Sequence, residues 1–216
     1  MSLSVMLTLL LHGMWTSFLI FALTLLFSLP LGLLVALGRM SNNLALRNIM
    51  RVYISILRGT PLMLQIFFVY FSPYYIFGIS ISNTYRFYAV IIAFVLNYAA
   101  YFAEIYRSGI ESMPVGQYEA AHVLGYSKSQ TFIKIILPQV IKRIIPPVTN
   151  EVITLIKDTS LAFAISVSEM FTVAKAIAAA QKTMTAFVAA GVFYYIFNFI
   201  VAWLMELVEK KLNYYR

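Results

Sequence analysis

Long apolar blocks alternate with short polar ones along this chain. A helical membrane span needs about 20 apolar residues, and five blocks reach that length: roughly 14–38, 51–77, 86–107, 131–157 and 184–208. Trp15 opens the first block, and Tyr70-Phe71-Ser72-Pro73-Tyr74-Tyr75 closes the second, as suits aromatic belts at membrane interfaces. The fourth block contains Pro138, Pro146 and Pro147, so a plain straight helix is not expected there. The fifth carries Phe193, Tyr194, Tyr195, Phe197 and Trp203 and ends at Lys210-Lys211. Residues 159–183 are apolar but broken by Ser166, Ser168, Glu169 and Lys175, which suits a re-entrant or half-span helix better than a sixth span. No internal repeat or low-complexity linker is present.

One polar island, residues 108–130, stands out between the third and fourth blocks. Pro114 suits a first helical turn, where its missing N–H costs nothing. Val115, Tyr118, Ala121 and Leu124 or His122 recur at helical spacing, and Gly125 suits the helix end. The spacing allows two readings: a short helix that slots into a groove on a soluble partner, or a loop that only connects spans.

Composition narrows the class. The chain has 216 residues, 62% hydrophobic and only 11% charged, against about 25% charged in soluble domains. The length leaves no room for a separate soluble domain, so residues 1–216 read as a single transmembrane domain. Residues 1–38 contain no Asp, Glu, Lys or Arg, and no basic n-region marks a cleavable signal. The net charge of +8 sits mainly in short loops, which points to a membrane protein and away from nucleic acid. With the N-terminus outside, Arg39, Arg47, Arg51, Arg107, Lys128, Lys134, Lys142, Arg143, Lys210, Lys211 and Arg216 fall at the cytoplasmic side. Only Arg86, Lys175 and Lys182 then fall outside, so the island is expected in the cytoplasm, with the C-terminus. There is no cysteine, no phosphate-binding glycine loop and no zinc-type cluster, and His12 and His122 are isolated.

Charges at bilayer depth are costly and need a partner or a cavity. Arg58, Glu104, Glu151, Lys157 and Asp158 lie within or at the ends of the apolar blocks. They line a substrate path, or Arg58 or Lys157 pairs with Glu104 or Glu151 and locks helices together. Thr60-Pro61 is expected to interrupt the second block and expose backbone groups at mid-membrane. Lys157-Asp158-Thr159-Ser160 offers both charge signs and two hydroxyls at the end of the fourth. Asn97, Tyr98 and Tyr101 share one side of the third, as a polar site or as ordinary packing.

Glu119-Ala120-Ala121, Gly125 and Ile136-Leu137-Pro138 resemble the EAA loop of ATP-binding-cassette (ABC) importer permeases. Arg58-Gly59-Thr60-Pro61-Leu62 with Gln65 and Tyr70-Phe71, Pro114-Val115-Gly116-Gln117, Leu137-Pro138-Gln139 and Lys157-Asp158-Thr159-Ser160-Leu161 resemble motifs of the polar amino acid permease family, in order and with family spacing. The resemblance implies an all-α membrane protein of the type I ABC importer permease fold, with five transmembrane helices and a cytoplasmic coupling helix. It implies a bacterial plasma-membrane location and a second permease subunit, either a copy or a paralogue. It also implies an ATPase subunit that carries ATP and Mg²⁺, and an external binding protein that delivers an amino acid. This chain would bind no cofactor and would not be an enzyme. Glu119 would meet the ATPase, with Ala120, Ala121 and Gly125 permitting close approach.

The expected substrate site comprises Arg58, Thr60, Pro61, Asn97, Tyr98, Tyr101, Glu151, Lys157, Asp158 and Ser160. Three acids near few bases favour a basic substrate such as arginine, lysine or histidine, with glutamine or another polar amino acid as the alternative. A homo-oligomeric secondary transporter would need ion-coupling residues and no docking loop. An intramembrane enzyme would need a catalytic pair, and no such spacing is found.

Overall fold

The computed structural model describes residues 2–212, which form helices and no strand. Arg216, counted above for orientation, lies outside the described residues. Helix α1 spans Leu3–Arg39, α2 Leu44–Gly59, α3 Leu62–Phe77 and α4 Tyr85–Glu111. The short α5, Val115–Val123, and α6, Lys128–Thr131, follow. A π turn over Phe132–Ile136 leads into α7, Leu137–Asp158, which continues as a 3-10 turn over Thr159–Ile165. Helices α8, Met170–Gln181, and α9, Thr185–Leu212, complete the chain. Helices α1, α4 and α9 are each long and apolar enough to cross a membrane. The pair α2 and α3 is bent by 111°, and the fourth block is bent by 58° against α8, so each is a broken span or a re-entrant pair.

Several boundaries differ from expectation for local reasons. Helix α1 begins at Leu3, well before residue 14, because Ser2 caps it and nothing in residues 3–13 breaks a helix. Its early residues Met6 and Leu10 are buried with Met170, Ala174, Ala186 and Ala190 of α8 and α9. Helix α2 begins at Leu44, not 51, because the Asn43 side chain accepts from the Ala45 and Leu46 amides. Pro114 stands just before the first turn of α5 rather than within it. The fourth block starts at Lys128 under a reciprocal cap between Ser127 and Gln130. The second block breaks at Thr60-Pro61, as expected: both residues are extended, and α3 restarts at Leu62.

Helix α4 is the central post. Phe94, Tyr98 and Phe102 are buried in the main core with Ile20 and Phe21 of α1, Ile66 of α3 and Val152, Leu155 and Ile156 of α7. Small residues set its distance from α1. A Cβ on Gly32 would stand 2.8 Å from Phe102 Cβ and 3.1 Å from the Ala99 carbonyl. Close approach through small residues is how helices pack where lipid offers no hydrophobic drive.

The turn into α8 is set by Glu169, whose side chain is wholly buried. It accepts from the Phe171 and Thr172 amides (2.7 Å each), the Thr172 hydroxyl (2.8 Å) and the Tyr194 hydroxyl (3.1 Å). A buried carboxylate needs this full satisfaction, and a helix N-terminus supplies it. The residue that breaks the apolar pattern is thus the residue that holds α8 to α9.

Candidate substrate cavity and coupling helix

Three elements converge on a cavity of about 340 Å³. The α2–α3 break contributes Thr60, Pro61 and Leu62; α4 contributes Asn97, Tyr98 and Tyr101; α7 contributes Glu151, Thr154 and Asp158. The α7 residues fall at spacings of three and four, hence on one helical face. The Tyr98 hydroxyl donates to Asp158 Oδ2 at 2.7 Å. Among the described residues Glu151 makes no hydrogen bond or ion pair.

A second cavity of about 240 Å³ shares Tyr101 and Glu151 with the first and adds Arg58, Glu104 and Ser108. Arg58 stacks over the Tyr101 ring, 5.1 Å from its centroid, and lies 4.0 Å from Glu104. Glu104 itself accepts from Arg107 at 2.7 Å, and Arg107 also pairs with Glu111. Glu104 is therefore satisfied along α4 by Arg107, a partner the sequence reading did not name, while the expected Arg58 stands at the edge of pairing distance. Glu151 is left facing both cavities.

The break is held by side-chain amides. Gln65 Nε2 donates to the Leu57 carbonyl (2.9 Å), the Thr60 carbonyl (3.1 Å) and Thr60 Oγ1 (2.9 Å). Asn97 Nδ2 donates to the Leu57 carbonyl and to Gln65 Oε1, both at 3.0 Å. These bonds occupy carbonyls that the interrupted helix leaves open. Asn97 thus lines the cavity and braces the break at once. Gln65, absent from the expected site, is its main brace; no spacing rule links it to Leu57 or Asn97.

Two expected site residues lie elsewhere. Lys157 is exposed and Ser160 donates to the Lys157 carbonyl at 2.8 Å, and neither lines the cavity. The helix end turns them away while Asp158 points inward. Thr154 and Leu62 line it instead. The one-face spacing of Glu151, Thr154 and Asp158 carried a signal for Thr154.

In the polar island, Glu119 and Ala120 are exposed on α5. Ala121 is 1% exposed, so it packs within this chain and is not open to a partner. Of the expected apolar stripe only Ala121 is buried; Val115, Tyr118 and Leu124 are exposed, as is Val123. Gly125 ends the helix with φ +80°, while the Gly125 and Tyr126 amides bond back to the His122 and Ala121 carbonyls. The glycine answers to backbone conformation, since a left-handed residue carries no penalty there only without a Cβ. Gln117 and Gln139 exchange amide hydrogen bonds of 3.0 and 2.8 Å, tying α5 to the first turn of α7.

Residues 28–214 match the family described as "Binding-protein-dependent transport system inner membrane component". The chain is 37% identical over 195 residues to the L-cystine transport system permease protein TcyB of Bacillus subtilis, covering 89% of this chain and 82% of that protein. It is 39% identical to a putative glutamine transport system permease protein GlnP of Rickettsia bellii, over 86% of this chain and 84% of that one. It is also 39% identical to the octopine transport system permease protein OccM of Rhizobium radiobacter, over 86% and 80%. Among solved structures, an amino acid ABC transporter crystallised with histidines superposes with a TM-score of 0.86 at 28% identity, over 94% of both chains. The MetNI methionine ABC transporter shares the fold, with a TM-score of 0.74 at 20% identity over 99% of this chain and 100% of that one. The fold is that of a type I ABC importer permease. The chain belongs to the family of binding-protein-dependent transport system inner membrane components, the permease subunits of ABC importers, in which a separate subunit hydrolyses ATP.

Proposed function

We propose that this chain is the permease of an ATP-driven importer for a basic or polar L-amino acid, with arginine, lysine and histidine the best fit. One observation carries the side-chain class: Glu151 and Asp158 share a cavity wall whose lining contains no Lys or Arg. Tyr98 occupies one Asp158 oxygen, which leaves the other, and all of Glu151, for a substrate cation. Arg58, at the adjoining cavity, supplies a partner for the substrate carboxylate. The relatives' names support an amino acid or a related compound as cargo.

The working assembly pairs this chain with a second permease subunit, a copy or a paralogue, and with ATPase subunits that bind ATP and Mg²⁺. The ATPase docks at the 108–130 loop through exposed Glu119 and Ala120, and a binding protein delivers the amino acid from outside. The N-terminus lies outside and the C-terminus in the cytoplasm, on the asymmetry of Lys and Arg between loops.

The test is ATP-dependent uptake by the complex reconstituted with its ATPase and binding protein. Arginine, lysine, histidine, glutamine and glutamate are compared. Uptake of arginine, lysine or histidine over glutamate is the expected result; uptake of glutamate but not arginine would sink the assignment. A second reading, glutamine, draws on the neutral hydrogen-bonding groups Thr60, Thr154 and Asn97 Oδ1 in the same lining. It predicts that glutamine outcompetes arginine.

A further inference from the structure

Among the described residues, the side-chain hydrogen bonds of α5 to another element run through one residue pair. Gln117 Nε2 donates to Gln139 Oε1, and Gln139 Nε2 donates to Gln117 Oε1 and to the Ile135 carbonyl. The covalent route from α5 to α7 is longer. It passes a left-handed Gly125, the one-turn α6 and the π turn at Phe132–Ile136. A π turn is frequent at functional sites, and Pro138 removes an N–H just beyond it. The amide pair bridges α5 directly to the first turn of α7, where Gln139 also holds the Ile135 carbonyl of the π turn.

We propose that the reciprocal Gln117–Gln139 pair is the positioning link that makes α5 and α7 move as one body across the π turn. A displacement of α5 then reaches Glu151, Thr154 and Asp158, which lie along the same helix as Gln139 and face the cavity. Two reciprocal amide bonds resist both shear and separation of their partners, while α5 keeps Val115 and Val123 exposed on its outer surface. The π turn lets α7 re-aim relative to α6 without α5 losing its hold. This inference rests on the reading that α5 meets the ATPase.

The experiment uses the whole complex in proteoliposomes and reads ATPase retention, ATP hydrolysis and amino acid uptake in parallel. Gln117→Ala and Gln139→Ala are expected to retain the ATPase and its hydrolysis while uptake per ATP falls about fivefold or more. The double variant Gln117→Glu/Gln139→Lys, which replaces the amide pair with an ion pair, is expected to recover most of that ratio. A merely structural role would lower all three readouts together and would gain nothing specific from the charge pair. The proposal is overturned if uptake per ATP stays at the parental value with the ATPase bound. It is equally overturned if the alanine variants shed the ATPase, or if the charge pair restores nothing. Glu119→Lys tests the docking reading separately: that reading fails if this variant still retains the ATPase and its stimulated hydrolysis, whatever the glutamine variants do.

Discussion

The Tyr98 hydroxyl donates a 2.7 Å hydrogen bond to Asp158, joining the middle of α4 to the last residue of α7. Tyr98 is 2% exposed, so the ring is fixed by the core while its hydroxyl reaches the cavity. The phenol therefore sets where the Asp158 carboxylate stands. Tyr98→Phe removes a hydrogen bond to a charged group, a loss of about 1.5–3 kcal/mol. The expected result is a rise of about tenfold or more in the substrate concentration for half-maximal uptake. ATPase assembly stays intact. An unchanged concentration dependence would show that Asp158 is held by other means.

Glu151 separates the basic-substrate reading from the neutral one. Replacing it with Gln keeps the shape and removes the charge. Arginine uptake is expected to fall about tenfold, as befits loss of a charge-assisted contact. Competition by glutamine should be untouched. Uptake assays with both amino acids, run on the parent and Glu151→Gln, decide the matter; equal loss for both would mean the residue holds structure.

The brace at the second-span break is redundant by construction. Gln65 and Asn97 both donate to the Leu57 carbonyl. Removing one donor leaves the other, so Gln65→Ala or Asn97→Ala alone should lower thermal stability modestly in detergent. The double variant strands the carbonyl, at a cost of about 1–3 kcal/mol. Its loss should exceed the sum of the singles, since the residues share one acceptor and bond each other. Strict additivity in the melting curves would argue against a shared brace.

Gly32 and Gly191 make a paired test of packing. A Cβ at Gly32 meets Phe102 Cβ at 2.8 Å and a backbone oxygen at 3.1 Å, and neither is the end of a flexible side chain. At Gly191 nothing lies within 4 Å. Gly32→Ala is expected to destabilise by about 1–3 kcal/mol through overpacking. Gly191→Ala should be neutral or stabilising, since alanine favours the helix. Thermal unfolding of the purified variants checks both, and equal melting temperatures would refute the α1–α4 spacing argument.

Much of the architecture was legible in the sequence because a bilayer imposes strong rules. Apolar block length marks long helices, and Thr60-Pro61 announced the second-span break, whereas α1, α3 and α7 run on through Pro30, Pro73, Pro146 and Pro147. Boundaries were less legible. Reading the spans from apolar block length hid the helical turns that Ser2, Asn43 and Ser127 begin by capping, outside those blocks. The polar island's helix and its glycine end followed from residue type, since only a glycine takes φ +80° without strain.

The cavity divides along the same line. Arg58, Thr60, Pro61, Asn97, Tyr98, Tyr101, Glu151 and Asp158 were all identifiable as polar or strained groups at membrane depth, because such groups are costly there and need a purpose. Which of them face one another was not. Lys157 and Asp158 are neighbours in sequence, yet one is exposed and the other accepts from Tyr98, sixty positions away. Glu104 and Glu151 are alike in sequence, yet Arg107 satisfies the first, while the second makes no hydrogen bond or ion pair among the described residues. The chain by itself determined that long apolar helices form and that the second block breaks at Thr60-Pro61, because those depend on local composition. Only the tertiary structure decided which charge is spent on a neighbour and which faces an open cavity, because that depends on how α2, α4 and α7 are rotated against one another.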